Sequence, residues 1–398
     1  MRVAIIIERA NIALGGAERS VFELRLALSA LDIDVHILAA KSQTKAKNIH
    51  VLCGNSLGKR TAYGPFAEAL KRHLSRNYYN VIHSVLPFNF ADVYQPRGGA
   101  FAESILRNAA SYQNKLQETY KKMTAFANLR RTGLLLSERR LCKNPNGPIV
   151  AALSQYVAQQ FKRHYGLDQA RMTVIPNGIK INKQTDAAKA ARLRAQILAQ
   201  LDIEEADRPV FFLFVANNFR LKGLAVLIKA MQSARGGDTN RQSYLVVAGN
   251  GKIHKYRRLA KKLNVHKKII FLGPIRNIQN ALSITDVAVL PTFYDPSSRF
   301  ILEAIAANKP VITTRFNGAT DLFVDGRHGK VIDSPEDVGA LAEAIGYFTN
   351  ADNIQKASRA IAEDNLKEKI SISRAAEQLK SLYERILEKR RPLCERIS

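Results

Sequence analysis

The chain has three cysteines in 398 residues, Cys53, Cys142 and Cys394. They lie far apart and are odd in number. This excludes a disulfide framework and a cysteine-rich zinc site, and it suits a reducing compartment. No apolar run reaches the ~18 residues of a membrane-crossing helix, so none is expected. The N-terminal run Val3–Ile7 stops at Glu8 and Arg9. It is too short for a signal-peptide core and reads as a first strand. Metal-ligand spacing is also missing: the eight histidines form no His-x3-His pair. The lone Asp-x-Asp, Asp32-Ile33-Asp34, precedes a strand candidate and reads as a turn, so no metal is expected. There is no short-period repeat and no low-complexity stretch.

Acidic residues are scarce. The chain has 34 Asp+Glu against 61 Lys+Arg, a net charge of +27. Residues 1–178 carry +14 and residues 179–398 carry +13, so the excess is not a detachable basic tail. Such a field attracts nucleic acid, acidic lipid headgroups or phosphorylated substrates, although a plain soluble basic surface would look the same. With 46% hydrophobic and 24% charged residues the composition is that of a globular protein. At about 150 residues per domain, two or three domains are expected.

Residues 2–38 read as strand, glycine loop, helix and strand. Arg2–Glu8 is followed by Gly15-Gly16, by Val21, Leu24, Leu28 and Leu31 at helical spacing, and by Asp34–Leu38. The second half repeats the alternation, with strands at Val210–Val215, Tyr244–Ala248, Ile269–Leu272, Val287–Leu290 and Pro310–Thr313. Helical stretches fall between them at 223–234, 254–263, 278–284 and 299–307. The strands are continuous apolar runs, as in parallel sheets buried on both faces. The expected fold is therefore α/β, and Pro176-Asn177-Gly178 is a turn signal at the domain boundary. The expected domains are 1–178, 179–370 and a C-terminal helix, 371–398, packing back on the first.

Several motifs in this order resemble glycosyltransferase family 4. They are Gly15-Gly16-Ala17-Glu18, Val174-Ile-Pro-Asn-Gly178, Phe214–Gly223, Val247-Ala-Gly-Asn-Gly251, Phe271-Leu-Gly273, Tyr294–Ala304 and Asn317-Gly-Ala319. Asp295 and Glu303 stand eight apart, as in that family's Glu-x7-Glu signature. Within the family the chain most resembles lipopolysaccharide core glucosyltransferases. The resemblance implies the GT-B fold, two Rossmann-like domains with parallel sheets facing a cleft. It also implies a nucleotide-sugar donor held mainly by the C-terminal domain, with no cofactor and no required metal.

The resemblance assigns roles residue by residue. Breaking a sugar–diphosphate bond leaves negative charge on the diphosphate, which fixed cations and N–H groups stabilise. Lys222 matches the cation that contacts the diphosphate, and Arg220 is a second candidate. Both could equally be exposed loop charges. Ser297, Ser298 and Arg299 sit where a helix start can bind phosphate, or where Ser simply caps it. Glu303 matches the ribose-binding carboxylate. Asp295 replaces the family's first Glu beside the donor sugar, with an Asp-Pro turn as the alternative. Gly15 and Gly16 match the N-domain glycine loop, and Asn317 and Gly318 the loop near the sugar. Relatives carry a His in the region of Tyr94–Gly99, which has none here. Asp92 and Arg97 are the acceptor candidates, and His83 is as consistent with packing as with catalysis.

Residues 103–143 carry nine Lys+Arg and three Glu. Tyr112, Leu116, Tyr120, Met123 and Phe126 are interleaved at helical steps. A basic amphipathic helix of this kind can lie on an anionic membrane or turn its apolar side into the core. The expectation is a retaining, metal-independent transferase moving a hexose, glucose from UDP-glucose by resemblance, to a lipopolysaccharide-core-like or other glycan, free or lipid-linked. It would be cytoplasmic and peripheral on the inner face of the cytoplasmic membrane. A mannosyl- or heptosyltransferase of the same fold is the alternative. So is a non-catalytic basic protein on membrane or nucleic acid, but no RNA-binding signature appears, so nucleic acid is not expected.

Overall fold

The computed structural model describes residues 1–11, 15–44, 46–54, 61–112, 114–124, 127–181, 184–234 and 241–394, with side chains through Arg390. It divides into two compact units: residues 1–109, 114–180 and 371–398, and residues 110–113 and 181–370.

The first unit is built on a parallel sheet. Its strands are β1 (Arg2–Ala10), β2 (Asp34–Ser42), β3 (Ile49–Gly54), β4 (Val81–Ser84), β5 (Val93–Tyr94), β6 (Ile149–Ala152) and β7 (Met172–Val174). They lie in the order β3-β2-β1-β4-β5-β6-β7. Its helices are α1 (Gly16–Ser29), α2 (Tyr63–Leu74), α3 (Phe101–Ala110), α4 (Lys115–Thr124), α5 (Leu129–Lys143) and α6 (Gln155–Tyr165). β1 is buried on both faces, and alternate residues enter different cores. Val3, Ile5 and Ile7 pack with Val21, Leu24 and Leu28 of α1. Ala4 and Ile6 pack with Phe66 and Leu70 of α2. The period of two along a strand sends successive side chains to opposite faces, which is why the run is continuously apolar.

The second unit repeats the plan with β8 (Val210–Val215), β9 (Ser243–Ala248), β10 (Ile269–Gly273), β11 (Val287–Leu290), β12 (Val311–Thr314) and β13 (Gly329–Ile332). Their order is β10-β9-β8-β11-β12-β13, again all parallel. The helices are α7 (Ala187–Leu201), α8 (Leu224–Ser233), α9 (His254–Lys262), α10 (Ile278–Ser283), α11 (Arg299–Ala306), α12 (Val338–Tyr347), α13 (Ala351–Glu363) and α14 (Leu366–Lys369). β13 escapes the sequence reading because Gly329-Lys-Val-Ile332 is too short and mixed to show a period. Gly329 is needed there, since a Cβ would lie 2.1 Å from the Val311 carbonyl oxygen.

The last helix, α15 (Ile372–Cys394), belongs to the first unit. Its Ile372, Ala376, Leu379, Leu382, Tyr383 and Ile386 recur at three- and four-residue steps and join the core of β1 and α1. Gly178 lets it approach: a Cβ there would lie 2.5 Å from Ile372 Cα.

Residues 103–143 are not the single helix expected. Asn114 Oδ1 accepts hydrogen bonds from the backbone N–H groups of Leu116 and Gln117 and starts α4. Asn128 does the same for Arg131 and starts α5. Asn competes with the helix for its own backbone and so punctuates it. Glu103 is buried, with Arg107, Arg163 and His164 around it, and its carboxyl is lowered to about 2 by those partners against the opposing effect of burial. Glu138 is also buried and accepts from the Tyr94 and Tyr165 hydroxyls. These two acids hold α3 and α5 inward, whereas α4 buries no side chain. Phe126 lies outside the described residues.

His83 is packed, which settles its ambiguity. It is fully buried, with Nδ1 2.6 Å from the Tyr383 hydroxyl. Burial, with the Arg97 charge adding to it, lowers its pKa from 6.5 to about 3. Between those values the unfolded chain binds a proton that the folded chain does not, so His83 costs stability as pH falls below 6.5. Replacing it with Gln is expected to flatten the acid side of the stability curve by up to one proton, about 1.4 kcal/mol per pH unit. Urea unfolding of both proteins between pH 4 and pH 7, as rough limits, checks this. Parallel curves would place the protonation elsewhere.

Candidate donor and acceptor sites

In the second unit the strand order reverses between β8 and β11. Ligands of such sheets bind at the carboxyl ends of the strands, in the crevice where the order reverses. The loops leaving β8, β11 and β12 meet there. The Phe293 N–H donates to the Leu221 carbonyl at 2.9 Å, and the Thr292 hydroxyl reaches the same oxygen at 3.3 Å. The Thr314 hydroxyl donates to the Thr292 carbonyl at 2.6 Å. Gly223 caps α8 at φ 80°, where a Cβ would lie 2.0 Å from the Pro291 carbonyl oxygen. Only glycine fits that close approach at positive φ.

These constraints bring Lys222 and Asp295 together. Lys222 Nζ donates to Asp295 Oδ2 at 2.7 Å and to the Tyr294 carbonyl at 2.8 Å. Both side chains keep under a fifth of their surface exposed. Asp295 also accepts from the Ser297 N–H at 3.2 Å, so it organises the turn into α11. The sequence treats Lys222 and Asp295 as separate candidates, but the fold makes them one ion pair.

Ser298 caps α11: its side chain accepts from the Ile301 N–H, and its own N–H donates to Asn317 Oδ1 at 3.2 Å. Ser297 is buried, and its hydroxyl has no hydrogen-bond partner among the described residues. Buried hydroxyls are as a rule hydrogen-bonded, so Ser297 stands out beside a cation and a helix start. One turn on, Arg299 Nε donates to Glu303 Oε1 at 3.1 Å, an i,i+4 pair almost wholly buried.

Asn317 and Gly318 tie the loops together. Asn317 is fully buried; its Oδ1 accepts from the Ser298 and Ala319 N–H groups, and its Nδ2 donates to the Thr313 hydroxyl at 3.0 Å. The Gly318 N–H donates to the Asp295 carbonyl at 2.8 Å. Both are committed to holding the loops. Arg220 is also committed: its guanidinium lies 3.7 Å from the centroid of the Tyr112 ring and bonds the Ser111 hydroxyl. Residues 110–113 belong to the second unit, so this contact is internal to it. Arg220 is thus held by Tyr112 and Ser111.

In the first unit Gly15 is the N-cap of α1 at φ 164°, an extended backbone open to any residue. A Cβ there would lie 3.3 Å from Glu18 Oε2. Gly16 begins α1, and residues 12–14 of this loop lie outside the described set. Arg97, which follows β5, donates to Ser20 Oγ and Asn177 Oδ1, both at 2.9 Å. Ser20 donates to Asn177 at 2.8 Å. The sequence points to Arg97 but not to these partners, because they are 77 and 80 residues away. Asp92 lies at the other end of the sheet. It precedes β5, at the amino ends of the strands, where it accepts from the Ile82 N–H at 2.8 Å and pairs with Arg390. Among the described residues no three His, Cys, Asp or Glu are placed to hold a metal ion.

Comparison with known proteins agrees with both units. Residues 14–183 match the family described as Glycosyltransferase Family 4, and residues 199–367 match Glycosyl transferases group 1. The chain is 28% identical to a D-inositol 3-phosphate glycosyltransferase of Corynebacterium glutamicum over 62% of its own length and 60% of the relative's. It is 22% identical to the lipopolysaccharide glucosyltransferase WaaG of Escherichia coli over 83% of its own length and 85% of the relative's. A crystal structure of WaaG aligns with a TM-score of 0.66 at 19% identity, covering 97% of this chain and 98% of that one. Anabaena HepE in complex with UDP-glucose aligns at 0.70 and 17% identity, covering 96% and 99%. With these two domains in this order, and the fold of these enzymes, the chain belongs to the glycosyltransferases of the GT-B type.

Proposed function

We propose that the chain transfers glucose from UDP-glucose, with retention and without a metal, to a phosphorylated or lipid-linked glycan resembling the lipopolysaccharide core. The observation that carries this is the Lys222–Asp295 pair beside the orphaned Ser297 hydroxyl at the start of α11. Lys222 faces the diphosphate and neutralises the charge that grows there as the sugar bond breaks. Ser297 donates to a phosphate oxygen. Glu303 accepts from the ribose hydroxyls, for which two carboxylate oxygens are suited, and Arg299 holds it in place. Asp295 orients Lys222 and faces the sugar. The acceptor hydroxyl attacks from the leaving-group side, and the donor phosphate takes its proton.

Support for the donor comes from HepE, whose structure holds UDP-glucose, and for the acceptor class from WaaG, a lipopolysaccharide glucosyltransferase. Arg97, held by Ser20 and Asn177 at the carboxyl ends of the first sheet, supplies a cation for a phosphorylated acceptor.

The enzyme acts at the inner face of the cytoplasmic membrane, held there peripherally through α4 and the start of α5. Leu116, Tyr120, Met123 and Leu129 are 82%, 61%, 74% and 86% exposed, an apolar set that the fold does not cover. Lys115, Lys121, Lys122 and Arg131 surround it, and each cation near an anionic surface contributes about 1 kcal/mol. Among the described residues no helix is long and apolar enough to cross a membrane.

Glu303→Ala is expected to weaken UDP binding about tenfold, the worth of one charge-assisted hydrogen bond. Lys222→Ala should lower kcat by about a hundredfold or more. Asp295→Asn should slow turnover while UDP still binds. Calorimetry with UDP and turnover of UDP-glucose on a core oligosaccharide test all three. Unchanged turnover in Lys222→Ala overturns the assignment, and UDP binding without turnover of any sugar donor favours a non-catalytic role.

Changing Leu116, Tyr120 and Met123 to Ser should abolish sedimentation with anionic vesicles at about 0.1 M salt and leave binding of UDP unchanged. Undiminished sedimentation would return α4 to a merely solvated role.

A further inference from the structure

Residues 241–285 contain ten Lys+Arg and no Asp or Glu. Most of these cations sit on α9 and the turn His266–Lys268 that follows it. Local structure does not ask for them. Arg257 and Lys261, and Arg258 and Lys262, are like charges at i,i+4, which destabilise a helix. His254, Lys255 and Arg257 crowd the start of α9, where the macrodipole favours anions and no acid is present. None of the lysines and arginines from 252 to 276 forms an ion pair among the described residues.

The cations border a cavity. A groove of about 780 Å³ runs between the end of α7, α9 and the first residues of β9 and β10. Arg257, Lys261, Lys267 and Lys268 line it, and its apolar floor includes Ile269 and Phe271. Arg257 lies 5.7 Å from the centroid of the Phe271 ring, which holds its guanidinium at the wall. Asp202 is the one carboxylate among the lining residues. The groove opens at the amino ends of the strands, whereas Lys222, Asp295 and Glu303 follow their carboxyl ends. It is therefore a separate place on the same unit.

We propose that this groove is a second anion site, taking a soluble or glycan-borne group with two or more phosphates. Four cations converging on a concave floor match a compact multiple anion, with charge-assisted bonds to several phosphate oxygens. The proposal is independent of the donor assignment.

The probe is tripolyphosphate, titrated calorimetrically into the full-length protein. Changing Arg257, Lys261, Lys267 and Lys268 to Ser should weaken binding by about tenfold or more, as loss of several charge-assisted hydrogen bonds does. Changing Lys115, Lys121, Lys122 and Arg131 to Ser removes the same charge elsewhere and should alter it less than about twofold. The milder Lys267→Gln/Lys268→Gln should shift it the same way as the fourfold groove variant while keeping the fold, checked by circular dichroism. Equal losses in the two fourfold variants would mean a general field effect and overturn the site. Loss of tripolyphosphate binding in Lys222→Ala, with binding kept in the groove variant, would place the anion in the donor site and overturn it too. So would binding of anionic vesicles, but not of tripolyphosphate, that the groove variant abolishes.

Discussion

Each unit depends on a parallel sheet whose strand order reverses at its middle. Where β8 and β11 lie side by side, their connections leave toward opposite sides, and the carboxyl ends open into a crevice. Lys222 comes from one of these loops and Asp295 from the other, so their ion pair exists only because the sheet juxtaposes two strands 72 or more residues apart. The pair then serves two ends. It restrains both loops, and it holds a cation at the carboxyl end of the sheet.

Around that pair the buried polar groups divide into those that are satisfied and those that are not. Asn317 uses both ends of its amide within the fold, and Ser298 caps α11. Ser297 differs, with a buried hydroxyl that the described residues leave without a partner. Burying a hydroxyl without a hydrogen bond costs free energy. The loop thus has members that hold it and one whose hydroxyl the described residues leave unsatisfied.

The positive charge is likewise not uniform in meaning. Arg107, Arg163 and Arg130 serve buried acids of the first unit, and Arg97 sits in a polar cluster with Ser20 and Asn177. Among the described residues the cations of α9 have no such acids, and those of α4 surround exposed apolar side chains. A composition with 27 more positive than negative charges reports only the sum of these roles.

Local pattern alone determined most of the architecture. Continuous apolar strands alternate with helical stretches, and glycines sit at the strand ends, because both faces of a parallel sheet must be covered and the backbone must turn tightly at its edge. The motif order likewise marked Lys222, Asp295, Ser297, Ser298, Arg299 and Glu303, which the fold gathers at one end of one sheet. Tertiary structure alone decided which of the marked residues were already engaged. Arg220 is taken by Tyr112, Asn317 by two backbone N–H groups, Asp92 by Ile82 and Arg390, and His83 by Tyr383. It also split residues 103–143 at two asparagines and turned Glu103 and Glu138 inward. These outcomes rest on partners tens to hundreds of residues away, which no local periodicity encodes. A polar side chain's role is fixed by what satisfies it once it is buried, and only the folded chain supplies that partner.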